Sequence, residues 1–239
     1  LLIIASAGTG KTTTIVERYI NLVENHGFNP QEVMMTTFTN KAAKDMAEKI
    51  SKKTKRHPEF IGTMHSLFLR LLRDNYKEAG LSPNFTLLTE ENDKKKIIRN
   101  IMIGIKLKPT SNNVMYFLDR INRFKNAGIS SDDLEQGTDL DDFEGEIKEE
   151  IGGEVIHVSS ALKKLAVKFY KEYQKKLRDS NMLDFDDILL KTYNLLNKNE
   201  SVRKYYSNKF KIIMVDEAQD LNLVHRNILE LMKNNNLSL

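Results

Sequence analysis

Ala5-Ser6-Ala7-Gly8-Thr9-Gly10-Lys11-Thr12 lies between a short apolar run, Leu1-Leu2-Ile3-Ile4-Ala5, and a segment of helical periodicity from Thr12 to about Asn25. A glycine-rich turn between a strand and a helix lets backbone N–H groups converge on phosphate oxygens, and the helix N-terminus adds a favourable dipole. In such a loop Lys11 reaches the β/γ-phosphates and the Thr12 hydroxyl ligates magnesium. The strict pattern has glycine at position 5, where this chain has Ala5. On this stretch alone an ordinary glycine-rich turn remains an alternative.

Outward from the loop, Ile15, Tyr19, Leu22 and Val23 share one helix face, and Gly27 and Pro30 close that helix. Val33–Thr37 reads as a second strand. Asn40 is placed to cap a helix carrying Ala42, Ala43, Met46, Ala47 and Ile50 at helical spacing. Phe60-Ile61-Gly62 is a short strand, and an amphipathic helix runs from His65 to about Tyr76. Strand and helix alternate, which predicts an α/β domain on a parallel sheet flanked by helices.

From about Asn75 to Tyr205 the rhythm becomes helical throughout, over Glu90–Ile105, Asn113–Lys125, Ala161–Leu177 and Phe185–Leu196. Lys94-Lys95-Lys96, Arg99, Lys106, Lys108, Arg120, Arg123 and Lys125 make its first half basic, and the lysine run reads as a solvated helix face. Residues 132–154 are acidic and read as a solvated loop, because like-charge blocks repel. Phe210–Val215 is then an apolar strand followed by Asp216-Glu217. The expected organisation is an α/β domain of residues 1–74 and 206–239 interrupted by an all-helical insertion of residues 75–205.

The chain has 239 residues with 40% hydrophobic and 29% charged side chains, an ordinary globular balance. Cysteine is absent, which excludes disulfide scaffolds, thiolate zinc sites and thiol catalysis. No apolar run approaches the length of about 18 residues needed for a membrane helix, so a cytoplasmic protein with no membrane partner is expected. The net charge of +4 is compatible with a polyanionic partner. Leu1 falls inside an apparent strand and Leu237–Leu239 at the start of another, so a piece of a longer protein is expected.

Asp216-Glu217 ends a buried strand, where α/β sheets bind ligands. In a nucleotide site Asp216 would hold magnesium and Glu217 would polarise the attacking water. By itself the pair also reads as acids favoured at a helix start. Five segments in order make the reading more specific. Besides the glycine-rich loop, Thr37–Met46 resembles motif Ia of the UvrD/Rep/PcrA-like superfamily 1 helicases, and Gly62–Leu67 resembles their motif Ib. Leu183–Leu190 is similar to the segment closing their helical 1B subdomain, and Val215–Asp220 resembles their DExx box. Ala5 is usual in that family.

The resemblance implies a RecA-like P-loop NTPase domain, subdomain 1A, with 1B inserted. It implies ATP and Mg2+ held by Ala7, Gly8, Thr9, Gly10, Lys11 and Thr12, with Asp216 as the second metal residue and Glu217 as the base. Gln219 and Asp220 match residues that relay nucleotide state. Phe38 and Phe185 match aromatics along a single-stranded DNA track, where stacking is sequence-tolerant; plain core packing is the alternative for each. Thr39, Asn40, Thr63, His65 and Ser66 match positions that contact the strand or couple it to the nucleotide. The implied activity is that of an ATP-dependent 3′→5′ DNA helicase acting on single-stranded and duplex DNA together with a second RecA-like domain, which these residues do not contain. These residues alone are expected to be nearly inactive. A binding module without turnover, a small-molecule P-loop kinase and the RecB/AddA branch are the rival readings. The first is disfavoured by the intact Lys11, Thr12, Asp216 and Glu217, and the second by the motifs a kinase does not need.

Overall fold

The computed structural model describes residues 10–135, 148–151, 154–157 and 160–233. The apolar run Leu1–Ala5, the loop residues Ala7, Gly8 and Thr9, and the strand expected at Leu237–Leu239 lie outside these. Two compact units result, Leu1–Gly80 with Lys191–Leu239, and Leu81–Leu190.

The first unit is α/β, as its alternating pattern predicts. Helix α1 (Lys11–Glu24) starts at Gly10, whose φ of 90° is left-handed and suits glycine. Val16, Tyr19, Leu22 and Val23 form its buried stripe. Strand β1 (Val33–Thr37) is buried along its whole length, as expected for the central strand of a parallel sheet. It lies between β2 (Phe60–Thr63) and β7 (Ile212–Val215), parallel to both. Helix α2 (Asn40–Ser51) follows β1 and α3 (Met64–Asp74) follows β2. One core joins Val16, Tyr19 and Val23 of α1, Val33 and Met35 of β1, Met46 and Ile50 of α2, and Met214 of β7. Burying such side chains contributes about 1.5–3 kcal/mol each.

One local detail departs from the sequence reading, and two helices add to it. Thr39, not Asn40, caps α2, because its hydroxyl accepts the Ala42 N–H at 3.1 Å. Helix α9 (Glu200–Lys209), capped by Asn199, extends the first unit upstream of β7. Helix α10 (Leu223–Met232), capped by Asn222, follows the acidic pair.

The second unit is built on α4 (Glu91–Gly104), α5 (Ser111–Asn126) and α7 (Ser160–Asp179), with the short α6 (Ser131–Glu135) and the start of α8 (Phe185–Lys198). Its core runs through Ile98, Met102, Phe117, Ile121, Phe169, Tyr170 and Tyr173, with the Phe117 and Phe169 rings stacked 3.8 Å apart. The insertion is helical in bulk but not all-helical. Strands β3 (Thr86–Leu87) and β6 (Met182–Leu183) pair in parallel, and β4 (Lys148–Ile151) pairs antiparallel with β5 (Glu154–His157). Two-residue strands are too short for a period-2 pattern to declare itself. The acidic stretch is likewise not a loop throughout, since α6 and the β4–β5 pair take up its ends. Of the lysine run expected on a solvated face, Lys94 is buried and Lys96 is exposed; Arg120 and Lys125, from the same basic stretch, are also buried.

Candidate functional site

The parallel register sets Thr37 beside Thr63 and Thr36 beside Val215, so the three strands of the first unit end on one edge. Phe38-Thr39, Met64-His65 and Asp216-Glu217 leave from that edge. Lys11 arrives there from the first turn of α1: its Nζ donates to Glu217 Oε2 at 3.0 Å, joining residues 206 apart in sequence. Gln219 Nε2 donates to the same oxygen at 2.6 Å. The Gln219 amide and the Lys11 ammonium together hold the Glu217 carboxyl below its ordinary pKa, so it is ionised at neutral pH.

Glu217 sits at φ 55°, ψ 47°, a left-handed conformation rare for a residue other than glycine. Such a backbone costs of order 1–3 kcal/mol and is found where the surrounding structure over-determines it, often at functional sites. The turn sends residues 216 and 217 different ways. Asp216 is buried, receives the Glu217 N–H on Oδ1 at 3.1 Å, and donates its own N–H to the Thr36 carbonyl at 2.8 Å. Burial, reinforced by the neighbouring Glu217 charge, raises its pKa, while Lys11 and the Thr37 hydroxyl pull it down. A cation beside Asp216 would oppose both raising effects by favouring the ionised carboxylate.

Thr12 follows Lys11 in the first turn of α1. Its hydroxyl and the Asp216 carboxylate are hard oxygen donors suited to Mg2+, which keeps several waters and takes few protein ligands. The residues therefore fit such an ion, and its site needs no dense cluster; none of three or more His, Cys, Asp or Glu occurs among the described residues.

The other sequence-predicted residues divide by position. Phe38, 69% exposed, projects past the end of β1. Thr39 and Thr63 cap α2 and α3 with hydroxyls that accept N–H groups, which leaves their own protons uncommitted by those bonds. Asn40 is the exposed first residue of α2. The Ser66 hydroxyl, in contrast, donates inward to the Thr63 carbonyl at 2.8 Å. A Cβ at Gly62 would lie 2.6 Å from Ser66 Oγ, so a larger residue there would turn that hydroxyl away from the Thr63 carbonyl. Phe185, 41% exposed, belongs to the second unit.

Sequence reading missed His225, in the first turn of α10. Its ring meets that of His65 edge to face, centroids 5.8 Å apart, and burial together with the His65 charge depresses its pKa to about 4. Asn222 three residues earlier was the available signal, since it marks the helix start that presents His225.

The family profile of the UvrD/REP helicase N-terminal domain matches residues 1–239. A probable DNA helicase II homolog of Rickettsia conorii is 34% identical over 228 residues, covering 94% of this chain and 32% of the relative. The ATP-dependent DNA helicase PcrA of Staphylococcus aureus is 30% identical over 234 residues, covering 97% of this chain and 29% of the relative. PcrA of Staphylococcus epidermidis is similar, 29% identical over 236 residues. The chain thus spans about a third of the length of these curated relatives. Among the described residues no helix is long and apolar enough to cross a membrane. With its parallel sheet, its lysine at the start of α1 and its acidic pair after β7, the chain belongs to the UvrD/REP helicase N-terminal domain family.

Proposed function

We propose that this chain is the N-terminal motor portion of an ATP-dependent DNA helicase, subdomain 1A with 1B inserted. The observation that carries the reading is the Lys11–Glu217 contact at 3.0 Å, which joins the end of the glycine-rich loop to the acid pair across one sheet edge. Bound Mg-ATP supplies the phosphoryl group whose transfer to water releases the working free energy. Gly8, Gly10 and Lys11 hold its phosphates, and Thr12 and Asp216 hold the metal. Glu217, kept ionised, orients the attacking water and takes up its proton, while Gln219 fixes the carboxylate that does so.

Single-stranded DNA runs over the same edge in this reading. Phe38 offers a ring to a base, and the N-termini of α2 and α3, with Thr39, Asn40, Thr63, His65 and Ser66, face phosphates. Within the second unit, the exposed ring of Phe185 is likewise offered to a base. In the full-length protein a second RecA-like domain completes the cleft, and hydrolysis is coupled to 3′→5′ translocation and duplex unwinding. Support comes from the exposure of both phenylalanine rings and from the names of the relatives.

The test is ATP turnover of the full-length protein with saturating single-stranded DNA. Glu217→Gln should lower turnover by roughly 10²–10⁴, the usual worth of a positioned base, while Mg-ATP binding persists. Undiminished turnover would remove Glu217 from this role and the nucleotide-site reading with it.

A further inference from the structure

Four side chains open helix α8, and they do not all point the same way. Asp184 and Asp187 are 0% and 1% exposed, whereas Phe185 between them is 41% exposed. The two aspartates cap one another: the Asp187 N–H donates to Asp184 Oδ1 at 2.9 Å, and the Asp184 N–H to Asp187 Oδ2 at 3.1 Å. Their remaining oxygens face inward to Lys125, in the last turn of α5, whose Nζ lies 2.7 Å from Asp184 Oδ2 and 2.8 Å from Asp187 Oδ1. Helix α7 closes the cluster, with the Tyr173 hydroxyl donating to Asp184 at 2.9 Å and Gln174 Nε2 to Asp187 at 2.8 Å. Asn126, beside Lys125, donates to Asp186 at 3.2 Å.

The electrostatics divide the two aspartates: burial, with the Asp184 charge, raises the Asp187 pKa despite Lys125, while Asp184 takes the greater share of the lysine's charge. Burial alone would neutralise Lys125, yet Asp187 and Asp184 more than offset it and hold the ammonium charged. The Lys125 ammonium likewise outweighs burial at Asp184 and holds that carboxyl ionised. An ion cluster this deep contributes little net stability, because desolvation consumes most of the attraction. What it does provide is a unique geometry. With Asp184, Asp186 and Asp187 tied to α5 and α7, the first turn of α8 has one rotational setting, and that setting turns Phe185 outward.

We infer that Lys125, with Asp184, Asp187 and Tyr173, is a positioning device for Phe185, holding its ring ready to stack on a nucleic-acid base. The inference rests on the proposed stacking role of Phe185. A ring on a fixed backbone loses less freedom on binding than one on a mobile turn, so stacking contributes more of its gross energy to affinity.

A double-mutant cycle tests this, with single-stranded DNA affinity of the full-length protein measured at one ionic strength. Phe185→Ala should weaken binding roughly 5- to 150-fold, the worth of one stacked base. In a Lys125→Met background the same truncation should cost less than about threefold, since the ring is no longer presented. A merely structural defect from Lys125→Met would lower affinity by the same factor with and without Phe185→Ala, and so leave the Phe185 effect whole. The full Phe185 effect in Lys125→Met would therefore overturn the positioning inference alone. No effect of Phe185→Ala in the unsubstituted protein would overturn the stacking reading, and the inference with it. Should Lys125→Met not fold, Tyr173→Phe removes one hydrogen bond while keeping the ring. A reduction of the Phe185 effect by at least twofold in that background supports positioning, and strict additivity overturns it.

Discussion

Each unit contains a lysine bound to carboxylate, and the two could hardly be less alike. Lys11 and Glu217 meet at 3.0 Å at a sheet edge, with 27% and 34% of their side chains exposed. Lys125 meets Asp184 and Asp187 at 2.7 and 2.8 Å with essentially no exposure. The same pair chemistry is replaceable in the first place and fixed in the second. A phosphate reaching the sheet edge can compete for the Lys11 ammonium, because water and a counter-charge are both at hand. Nothing can compete for Lys125 without stranding two carboxylates away from water. A site that must exchange partners belongs at an exposed edge, and a site that must set a direction belongs in a core.

Breaking the buried pair should give the largest effect. Lys125→Met leaves uncompensated carboxylates in the second unit, and its stability should fall by about 3–5 kcal/mol, read from denaturant unfolding. A loss below about 1 kcal/mol would mean that solvent already reaches the cluster, and the contrast between the two lysines would vanish.

A smaller effect is expected from pH. His225 is ordinarily protonated near pH 6.5, and its folded value is depressed to about 4. Between those values the unfolded chain binds the proton and the folded chain does not, so stability rises with pH there. The contribution is complete above about pH 6.5 and is lost as pH falls toward 4. Solvent at the half-buried ring reduces it to about 1–2 kcal/mol. His225→Gln should flatten this part of the stability profile relative to the unsubstituted chain; an unchanged slope would show that His225 titrates normally beside His65.

Much of the first unit was legible because its signals are local. Val33–Thr37 and Phe210–Val215 read as strands, α1 and α2 carry 3.6-residue stripes, and the glycine-rich turn before Lys11 gained its meaning from the acid pair after the last strand. The acid pair could be found because it sits at the end of such a strand. What escaped was non-local or near-degenerate. Thr39 and Asn40 are both good caps, and only the backbone geometry chooses between them. The Lys94-Lys95-Lys96 run read as a solvated face because a charged residue on a helix is normally exposed, and nothing in the basic pattern set Arg120 and Lys125 apart as buried. The burial of Lys125 depends on Asp184, 59 residues away, and no periodicity encodes that. His225 was invisible for the same reason, since its neighbour His65 comes from another strand-helix junction.

The exposed pair should give the smallest change in stability and the largest in ligand binding, and that opposition is the most direct test of all. Calorimetric titration of Mg-ATP into unsubstituted protein and Lys11→Met, with the unfolding free energy of each measured in parallel, reads both sides at once. Lys11→Met is expected to lie within about 1 kcal/mol of the unsubstituted protein in stability, as exposed ion pairs do, yet to bind Mg-ATP roughly ten- to a hundredfold more weakly through loss of its charge-assisted bonds to phosphate. Equal affinity of the two proteins for Mg-ATP would contradict the assignment of this sheet edge as the nucleotide site.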